Sequence, residues 1–197
     1  MQDEAEQELI SRCQQGDKAA FAQLVRANQQ VVFNFLCRLI PDWVDLEDIA
    51  QEVWVKVYQS IGKVKNYSSF KTWLHRVALN TYYDKMRKVS NRGEVSLDEG
   101  EDGNEFNVKE IPDTALLHEE LALNADWKEY VHEKIKALPE QYKLMVIMRD
   151  IQNLSYEEIA DITNLSLGTV KSRIARAREK LLLELSDYFK EVKADVS

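Results

Sequence analysis

Apolar residues recur at steps of three and four along most of this chain, the spacing that gathers them on one face of a helix. The pattern predicts eight helices, at residues 6–15, 17–40, 45–61, 70–88, 115–137, 139–151, 155–162 and 167–189. No segment has a convincing strand pattern, and 6 Gly and 3 Pro in 197 residues leave few tight turns. The predicted fold class is therefore all-α.

Local signals mark several of the predicted helix ends. Pro41 ends the second helix, because proline lacks the N–H that a helix interior needs. Pro139 suits the first position of its helix, where that N–H has no partner within the helix. Ser155, followed three positions later by Glu158, predicts a capping box at the start of helix 155–162.

An acidic stretch divides the chain. Residues 93–126 hold 11 acidic residues and 1 basic residue, and the part up to Asp113 is rich in Gly and poor in apolar side chains. Such a segment buries too little surface to offset its ordering entropy, so we interpret it as a flexible linker. The predicted architecture is two small helical domains, 1–92 and 127–197, with this linker between them.

The charge of the chain is unevenly distributed. Its 26 basic and 34 acidic residues give a net charge of −8. Residues 63–92 nevertheless carry 8 basic groups against Asp84 alone, and residues 163–182 carry 5 against Glu179 alone. Because salt screens each field within about 10 Å, a local basic patch can bind phosphate on an acidic protein. Solvated helix faces would have the same composition.

The C-terminal patch lies on a predicted helix-turn-helix, in which the turn 163–166 joins helix 155–162 to a basic helix. With Val170 at the centre of the core, a rotation of about 100° per residue places Ile174, Ala177 and Leu181 inward. The outward set is Thr169, Ser172, Ala175, Arg176 and Glu179. The flanking cations are Lys171 and Arg178 on one side, and Arg173 and Lys180 on the other.

This arrangement suits a DNA recognition helix. A ridge of small residues can enter the major groove, where Arg176 would contact guanine N7 and O6 and Ser172 a base edge or a phosphate. The flanking cations would meet the phosphates. An ordinary amphipathic surface helix is the alternative, but the combination of short helix, turn and basic helix favours DNA binding.

Helix 70–88 has two faces. Its inward stripe is Phe70, Leu74, Val77, Ala78 and Thr81, and a second stripe comprises Trp73, Arg76, Asn80, Tyr83 and Arg87. A polar loop with one aromatic residue, 65–69, precedes it. Aromatic rings stack on unstacked bases while cations hold the backbone, so the second stripe suits single-stranded nucleic acid. Core packing is the alternative role for Trp73 and Tyr83.

Other functional classes find little support. The acidic N-terminus does not resemble a signal peptide, and no apolar run approaches the roughly 20 residues that span a bilayer. Cys13 and Cys37 have no metal-ligand spacing, which indicates reduced thiols in a cytoplasmic protein. The three histidines form no metal or triad pattern. We therefore expect no enzyme activity, no cofactor, no metal site and no membrane insertion.

Six motifs occur in the order found in one family. They are FAQLV at 21–25, DIAQEV at 48–53, FKTWLHRVALN at 70–80, LPE at 138–140, LSYEEIA at 154–160 and GTVKSRI at 168–174. Together they resemble the bacterial sigma factors of the extracytoplasmic-function (ECF) class, and the likeness covers nearly the whole chain. Such factors contain only regions 2 and 4, joined by a variable linker.

The resemblance implies roles for region 2, which corresponds to residues 1–92. Asp48, Gln51 and Glu52 match the face that docks onto the coiled coil of the polymerase β′ subunit. The loop and the first residue of the following helix match the element that captures a flipped base of the −10 element: Asn66, Tyr67, Ser68, Ser69 and Phe70. Asn80 matches a position that helps to read that base, and Trp73 and Arg76 would support the opened strand.

The resemblance also implies roles for region 4, which corresponds to residues 127–197. The positions near the −35 element are Arg149, Lys171, Ser172, Ala175 and Arg176, and helix geometry adds Thr169 and Arg173. The implied partners are promoter DNA, the RNA polymerase core through its β′ coiled coil and β flap, and an anti-sigma factor. A conventional helix-turn-helix regulator with an N-terminal ligand or dimerisation domain remains the alternative, although it leaves the 66–87 surface unexplained.

Overall fold

The structure is a computed structural model that describes residues 2–41, 44–64, 70–89 and 125–195. All regular elements within those ranges are helical, which confirms the predicted all-α class. The chain forms two compact units. The N-terminal unit contains helices α1 to α4, and the C-terminal unit contains α5 to α8.

The N-terminal unit follows the predicted helices closely. Its elements are α1 (Gln2–Gln14), α2 (Lys18–Leu39), α3 (Leu46–Ser60), a 3₁₀ turn (Ile61–Lys63) and α4 (Phe70–Val89). The first helix begins four residues earlier than its apolar pattern predicted, while the other boundaries agree within one residue. Apolar spacing therefore identified each helix, although it did not fix every end.

Aspartates cap two helices of this unit. The Asp17 carboxylate accepts hydrogen bonds from the backbone N–H groups of Ala19 and Ala20, at 2.9 and 3.0 Å. Asp45 does the same for Glu47 and Asp48, at 2.9 and 3.1 Å. These bonds satisfy N–H groups that have no partner within the helix. As predicted, α2 stops just before Pro41, with Ile40 already extended.

The core of the N-terminal unit lies between α2 and its three neighbours. The most fully buried large side chains there are Ile10, Leu24, Phe35, Leu36, Leu39, Ile49, Phe70, Leu74 and Leu79. Helix α4 buries more of its surface than the single predicted stripe, since His75, Tyr82 and Met86 are also in the interior. Burial of that width fixes the rotation of α4, so its remaining face has a defined direction.

The C-terminal unit comprises α5 (Ala125–Ala137), α6 (Glu140–Val146), a π-helical turn (Ile147–Ile151), α7 (Tyr156–Thr163) and α8 (Leu167–Asp195). Residues 115–124 of the predicted fifth helix lie outside the described residues. The same holds for the predicted linker 93–126, except for positions 125 and 126, which begin α5. The last helix extends six residues beyond its predicted end.

Helix α6 differs from its prediction at both ends. Pro139 precedes the helix as its N-cap, with φ −51° and ψ 141°, and is not the first helical residue. The predicted helix 139–151 instead widens after Val146 into the π turn, in which the Gln152 N–H donates to the Ile147 carbonyl at 2.9 Å. Residues 144–148 are all buried. The last two of these, Ile147 and Met148, lie on the π turn, so the turn continues the burial that α6 begins.

Helix α8 packs on the other helices of the C-terminal unit with a continuous apolar face. The buried side chains of the unit include Trp127, Leu144, Met145, Ile147, Ile159, Val170, Ile174, Ala177 and Leu181. The predicted capping box at the start of α7 is present, with Ser155 accepting from the Glu158 N–H and Glu158 accepting from the Ser155 N–H. The helix-turn-helix is thus anchored by a local cap and by a shared core.

Candidate nucleic-acid interface

The turn between α7 and α8 is set by two local features. Asn164 ends α7 in the left-handed region, with φ 57°, a conformation that Asn adopts more readily than most residues. The Ser166 hydroxyl then accepts a hydrogen bond from the Thr169 N–H at 3.1 Å. It also shares a hydrogen bond of 2.8 Å with the Thr169 hydroxyl. These contacts start α8 and fix the direction in which its first turns point.

The inward stripe of α8 is confirmed. Val170, Ile174, Ala177 and Leu181 are each at most 2% exposed. None of the predicted outward residues is buried: Thr169, Ser172, Ala175 and Arg176 are half-buried, and Glu179 is exposed. The Ser172 hydroxyl donates to the Thr169 carbonyl at 3.0 Å. The outward face therefore has small residues with one arginine among them.

Two arginines of α8 are in the interior and not on the flanks where helix geometry placed them. Arg173 is 3% exposed and Arg178 is 5% exposed. Arg178 forms two bonds with the Asp150 carboxylate, one of them at 3.3 Å from Nε. Both positions border the apolar stripe, so a long side chain can turn inward to reach a partner. The flanking positions predicted for Arg173 and Arg178 were therefore wrong. The DNA contact of Arg173 stays a prediction.

Arg149 lies on the π turn and joins the α8 surface through an aromatic ring. Its guanidinium carbon is 4.8 Å from the centroid of the Tyr156 ring, and the Lys171 Nζ is 5.9 Å from the same centroid. Arg149 also donates to the Leu154 carbonyl at 3.0 Å. Two side chains assigned to one DNA element by resemblance thus meet at one tyrosine, which was not among the predicted site residues.

Helix α4 carries the second predicted stripe. Asn80 and Arg87 are exposed, while Trp73, Arg76 and Tyr83 are half-buried. Both aromatic residues pack on a neighbouring ring. The ring centroids of Trp73 and Phe70 are 5.8 Å apart, and those of Tyr83 and Tyr82 are 5.2 Å apart. Each ring is therefore part core and part surface, which combines the two roles considered for it.

Other predicted −10 positions have different placements. Phe70 is 1% exposed and begins α4 from within the core. The loop positions Asn66, Tyr67, Ser68 and Ser69 lie outside the described residues. The roles of all five positions stay predictions.

The predicted polymerase-docking residues lie on α3, and ion pairs join that helix to α4. Asp48 and Gln51 are exposed and Glu52 is half-buried. Asp48 pairs with Lys85, while Lys56 bridges Glu52 at 3.4 Å and Asp84 at 2.8 Å. The hydrogen bond to Asp48 raises the pKa of Lys85. Local sequence spacing did not predict the two pairs between α3 and α4, because 28 and 37 positions separate the partners.

A shallow groove of about 320 Å³ lies beside Gln51, between α2 and α3. It is lined by Gln29, Gln30, Phe33, Glu47, Ala50, Gln51 and Trp54. Phe33 is 43% exposed and contributes an apolar ring to the wall of the groove. The sequence pattern did not predict this groove, although Phe33 stands off the apolar stripe of its helix and was a detectable signal.

The part of the chain that the structure describes contains no group of three or more His, Cys, Asp or Glu side chains positioned to hold a metal ion. Nor is any described helix both long enough and apolar enough to cross a membrane.

Two family descriptions match the chain, one for each unit. Sigma-70 region 2 matches residues 24–92, and Sigma-70 region 4 matches residues 128–181. The RNA polymerase sigma-H factor of Pseudomonas aeruginosa is 35% identical over 184 residues, covering 90% of this chain and 92% of that protein. The chain belongs to the ECF sigma factors of RNA polymerase. The resemblance seen in the sequence is thereby confirmed.

Relatives from other bacteria agree with this membership. The ECF RNA polymerase sigma-E factor of Escherichia coli K12 is 35% identical over 182 residues, covering 89% of this chain and 92% of that one. Its Haemophilus influenzae counterpart is 36% identical over 177 residues, covering 89% and 93%. As a sigma factor, the chain directs RNA polymerase to promoters. Because the region 2 match occupies the N-terminal half, the alternative of a ligand or dimerisation domain there is wrong.

Solved structures show the same fold at lower sequence identity. CnrH, solved in complex with the cytosolic domain of CnrY, aligns with a TM-score of 0.62 and 22% identity, covering 93% of this sigma factor and 98% of that chain. The sigma factor RpoE of Bartonella quintana, solved with the anti-sigma factor NepR, aligns with a TM-score of 0.62 and 20% identity, covering 84% and 96%.

Proposed function

We propose that the C-terminal unit of this sigma factor reads the −35 element as duplex DNA, with α8 in the major groove. The observation that carries the proposal is the contrast between the two sides of α8. One side is locked into the core through Val170 and Ile174, and the other presents Ser172, Ala175 and Arg176. A helix held rigidly by its apolar side can insert a narrow ridge between the phosphate walls.

Each outward residue has a distinct part in this reading. Arg176 donates to guanine N7 and O6, the commonest specific contact of an arginine with DNA. Ala175 keeps the ridge low, and Ser172 and Thr169 offer hydroxyls to a base edge or a phosphate. Lys171 and Arg149 supply positive charge beside the ridge, where the backbone passes.

The N-terminal unit would capture the −10 element as a melted strand. Trp73 and Tyr83 offer half-buried rings for stacking, and Arg76 and Asn80 offer donors beside them. Stacking of this kind is worth about 1–3 kcal/mol per base, so trapping unstacked bases can offset the cost of opening without nucleotide hydrolysis. The loop residues Asn66 to Ser69 and the neighbouring Phe70 keep the base-capturing role that the family resemblance implies.

Docking on the polymerase core would use the α3 surface. Asp48 and Gln51 are exposed there, and Glu52 stands beside Lys56. We assign this face to the β′ coiled coil, and region 4 to the β flap, on the family resemblance. The overall charge of −8 opposes binding of the unassociated chain to DNA, which fits a subunit that acts only on the polymerase.

An anti-sigma factor is the expected regulator. CnrH and the Bartonella RpoE were both solved with bound partners, and the latter partner is an anti-sigma factor. The exposed ring of Phe33, beside Trp54 in the α2–α3 groove, is an apolar surface suited to such a partner. Binding there would cover residues next to the proposed core-docking face.

Transcription by reconstituted holoenzyme tests the −35 assignment. Core polymerase combined with this chain should initiate at a defined set of promoters on genomic DNA, and sequencing the transcripts identifies the shared −35 and −10 elements. Arg176→Ala should lower initiation from those promoters about tenfold or more, because one bidentate base contact is worth about 1–3 kcal/mol.

Lys128→Ala is the matched control, since Lys128 is an exposed cation of α5, a helix that bonds to α8 at Glu184. It should leave promoter selection and initiation unchanged. Arg173 is not a suitable test residue, because truncating a 3% exposed arginine disturbs the core as well. Full promoter-specific transcription by Arg176→Ala would rule out the recognition-helix assignment.

A further inference from the structure

The ring of Tyr156 is the meeting point of two cations from different elements. Arg149 comes from the π turn, Tyr156 is the first residue of α7, and Lys171 comes from the second turn of α8. The Arg149 guanidinium lies 4.8 Å and the Lys171 Nζ 5.9 Å from the ring centroid. Both distances are within the roughly 6 Å over which a ring attracts a cation.

Each member of this cluster is held by its own backbone. The Ser155–Glu158 capping box fixes the start of α7 and therefore the origin of the Tyr156 side chain. Arg149 is anchored by its bond to the Leu154 carbonyl at 3.0 Å. Lys171 follows Val170, which is fully buried, so the α8 backbone beneath it is fixed while its own side chain extends into solvent.

Two like charges at one place repel each other, and a flexible lysine loses rotamer entropy when it is held in one position. The negative face of an aromatic ring opposes both effects, since it attracts each cation at once. Tyr156 therefore holds Arg149 and Lys171 near each other before any anion arrives. The two cations are therefore already ordered when the DNA phosphates bind, so binding loses less side-chain entropy.

We propose that Tyr156 is a positioning residue for −35 binding, which holds Arg149 and Lys171 on the phosphate backbone of the duplex through its ring. This inference rests on the proposed function, because it concerns two of the side chains assigned to that element. The phenol hydroxyl has no part in it. The π turn contributes by bringing Arg149 to the ring while the adjacent Asp150 pairs with Arg178 of α8.

A series of substitutions at position 156 separates the ring from the hydroxyl. Holoenzymes carrying Tyr156→Phe, Tyr156→Leu, or pentafluorophenylalanine in place of Tyr156 are titrated with a duplex bearing the −35 element, at several salt concentrations. Tyr156→Phe should bind within about twofold of the original, since the π face remains. The leucine variant should lose about fivefold, as expected for two partly exposed cation–π contacts.

The salt dependence provides a readout that a purely structural role would not change. Loss of the ring should reduce the slope of log affinity against log salt by about one, the signature of one phosphate contact fewer. Pentafluorophenylalanine keeps the shape of the ring but removes its negative face. It should therefore bind like Tyr156→Leu, and it keeps the test valid if the leucine variant folds poorly.

Two further comparisons complete the design. Arg149→Ala and Tyr156→Leu should be non-additive when combined, since the ring acts through the arginine. Tyr130→Leu is the matched control, because Lys134 lies 5.2 Å from the Tyr130 ring in the same unit and neither residue is assigned to DNA. That control should leave both the affinity and the salt slope unchanged.

Equal losses for Tyr156→Phe and Tyr156→Leu would overturn the inference, because they would assign the effect to the hydroxyl. So would additive effects of the position 149 and 156 variants, or a pentafluorophenylalanine protein that binds like Tyr156→Phe. If the original holoenzyme discriminates the −35 duplex through Arg176, but no substitution at position 156 changes the affinity or the salt slope, only this inference fails. If it does not discriminate that duplex at all, the proposed function fails with it.

Discussion

Arg176 and Arg178 lie two positions apart on α8 and have opposite surroundings. The side chain of Arg178 is only 6% exposed and is paired with Asp150, while Arg176 belongs to the outward face. A buried guanidinium needs a carboxylate because desolvation of an uncompensated charge costs several kcal/mol. Arg178 therefore fixes where α8 sits on the π turn, and Arg176, on the outward face, is the arginine that we assign to base reading.

At this residue scale, Arg178→Met should destabilise the C-terminal unit by about 2–3 kcal/mol, because it leaves Asp150 without its partner in a partly buried site. Hydrogen exchange measured by mass spectrometry on the full chain should show α8 amides exchanging at least about 30-fold faster. The double variant Arg178→Met, Asp150→Leu should regain much of the loss. Unchanged exchange in the single variant would mean that the pair contributes nothing to stability.

At the scale of elements, charges hold α3 and α4 together as well as apolar contacts. Lys56 reaches both Glu52 on its own helix and Asp84 on α4. The hydrogen bond from Lys56 has the largest effect on the pKa of Asp84 and lowers it. Burial opposes this shift, and the charge of Lys56 adds to it. The proposed docking helix and the proposed strand-binding helix are thus joined by groups whose ionisation depends on pH.

A lowered pKa in the folded state means that the ionised Asp84 stabilises the fold. This contribution is complete above the ordinary aspartate pKa of 3.8 and is lost as the pH falls through the lower folded value. Asp84→Asn should therefore reduce the free energy of unfolding at pH 7 by roughly 0.5–1 kcal/mol, the size expected for a partly exposed pair. The difference in unfolding free energy between Asp84→Asn and the original chain should become smaller below pH 3.8.

Urea unfolding in a Trp127→Phe background measures this pH dependence, because Trp127 belongs to the C-terminal unit and its removal leaves the fluorescence to the N-terminal unit. Glu8→Gln is the control, because Glu8 is an exposed residue of α1. Its difference in unfolding free energy from the original chain should not become smaller at low pH in this way. If the difference in unfolding free energy between Asp84→Asn and the original chain stayed constant down to pH 2.5, ionised Asp84 would not be the stabilising group.

At the scale of the whole molecule, two helical units present different chemistries. The C-terminal unit offers a rigid helix edge with cations beside it, which suits the regular groove of a duplex. The N-terminal unit offers half-buried rings among donors, which suits bases that have left the stack. A protein with both surfaces can bind closed DNA at one element and retain opened DNA at another.

The two tasks should separate on an artificially opened template. Trp73→Leu should lower initiation about tenfold on duplex promoters, as expected for loss of one base-stacking contact. On a template with a mismatched bubble at the −10 element, this variant should recover to within about threefold, because strand capture no longer has to offset the cost of melting. Arg176→Ala should remain defective on both templates, and transcript yield in vitro measures each case.

Lys128→Ala should match the original chain on both templates. Recovery of Arg176→Ala on the bubble, or no recovery of Trp73→Leu, would contradict this division of tasks between the units.

Features that depend on local spacing were predictable. The inward stripe of α8 and the capping box of α7 follow from helical geometry and from side chains within three residues of each other. The exact ends of α1 and the N-cap role of Pro139 did not follow, because neighbouring residues tolerate several boundaries. The ion pairs Asp48–Lys85 and Lys56–Asp84 were equally inaccessible, since they depend on how two helices align.

The sequence by itself determined the all-α class, the family and the set of residues that face outward on α8, because periodicity and motif order are written locally along the chain. Only the tertiary structure decided that Arg178 turns inward to Asp150, that α6 widens into a π turn, and that Arg149 and Lys171 meet at Tyr156. These outcomes depend on contacts between residues up to 28 positions apart. A sequence pattern does not specify such contacts, because they form only when whole helices pack to bury apolar surface. That packing also requires buried charges such as Arg178 to have a partner.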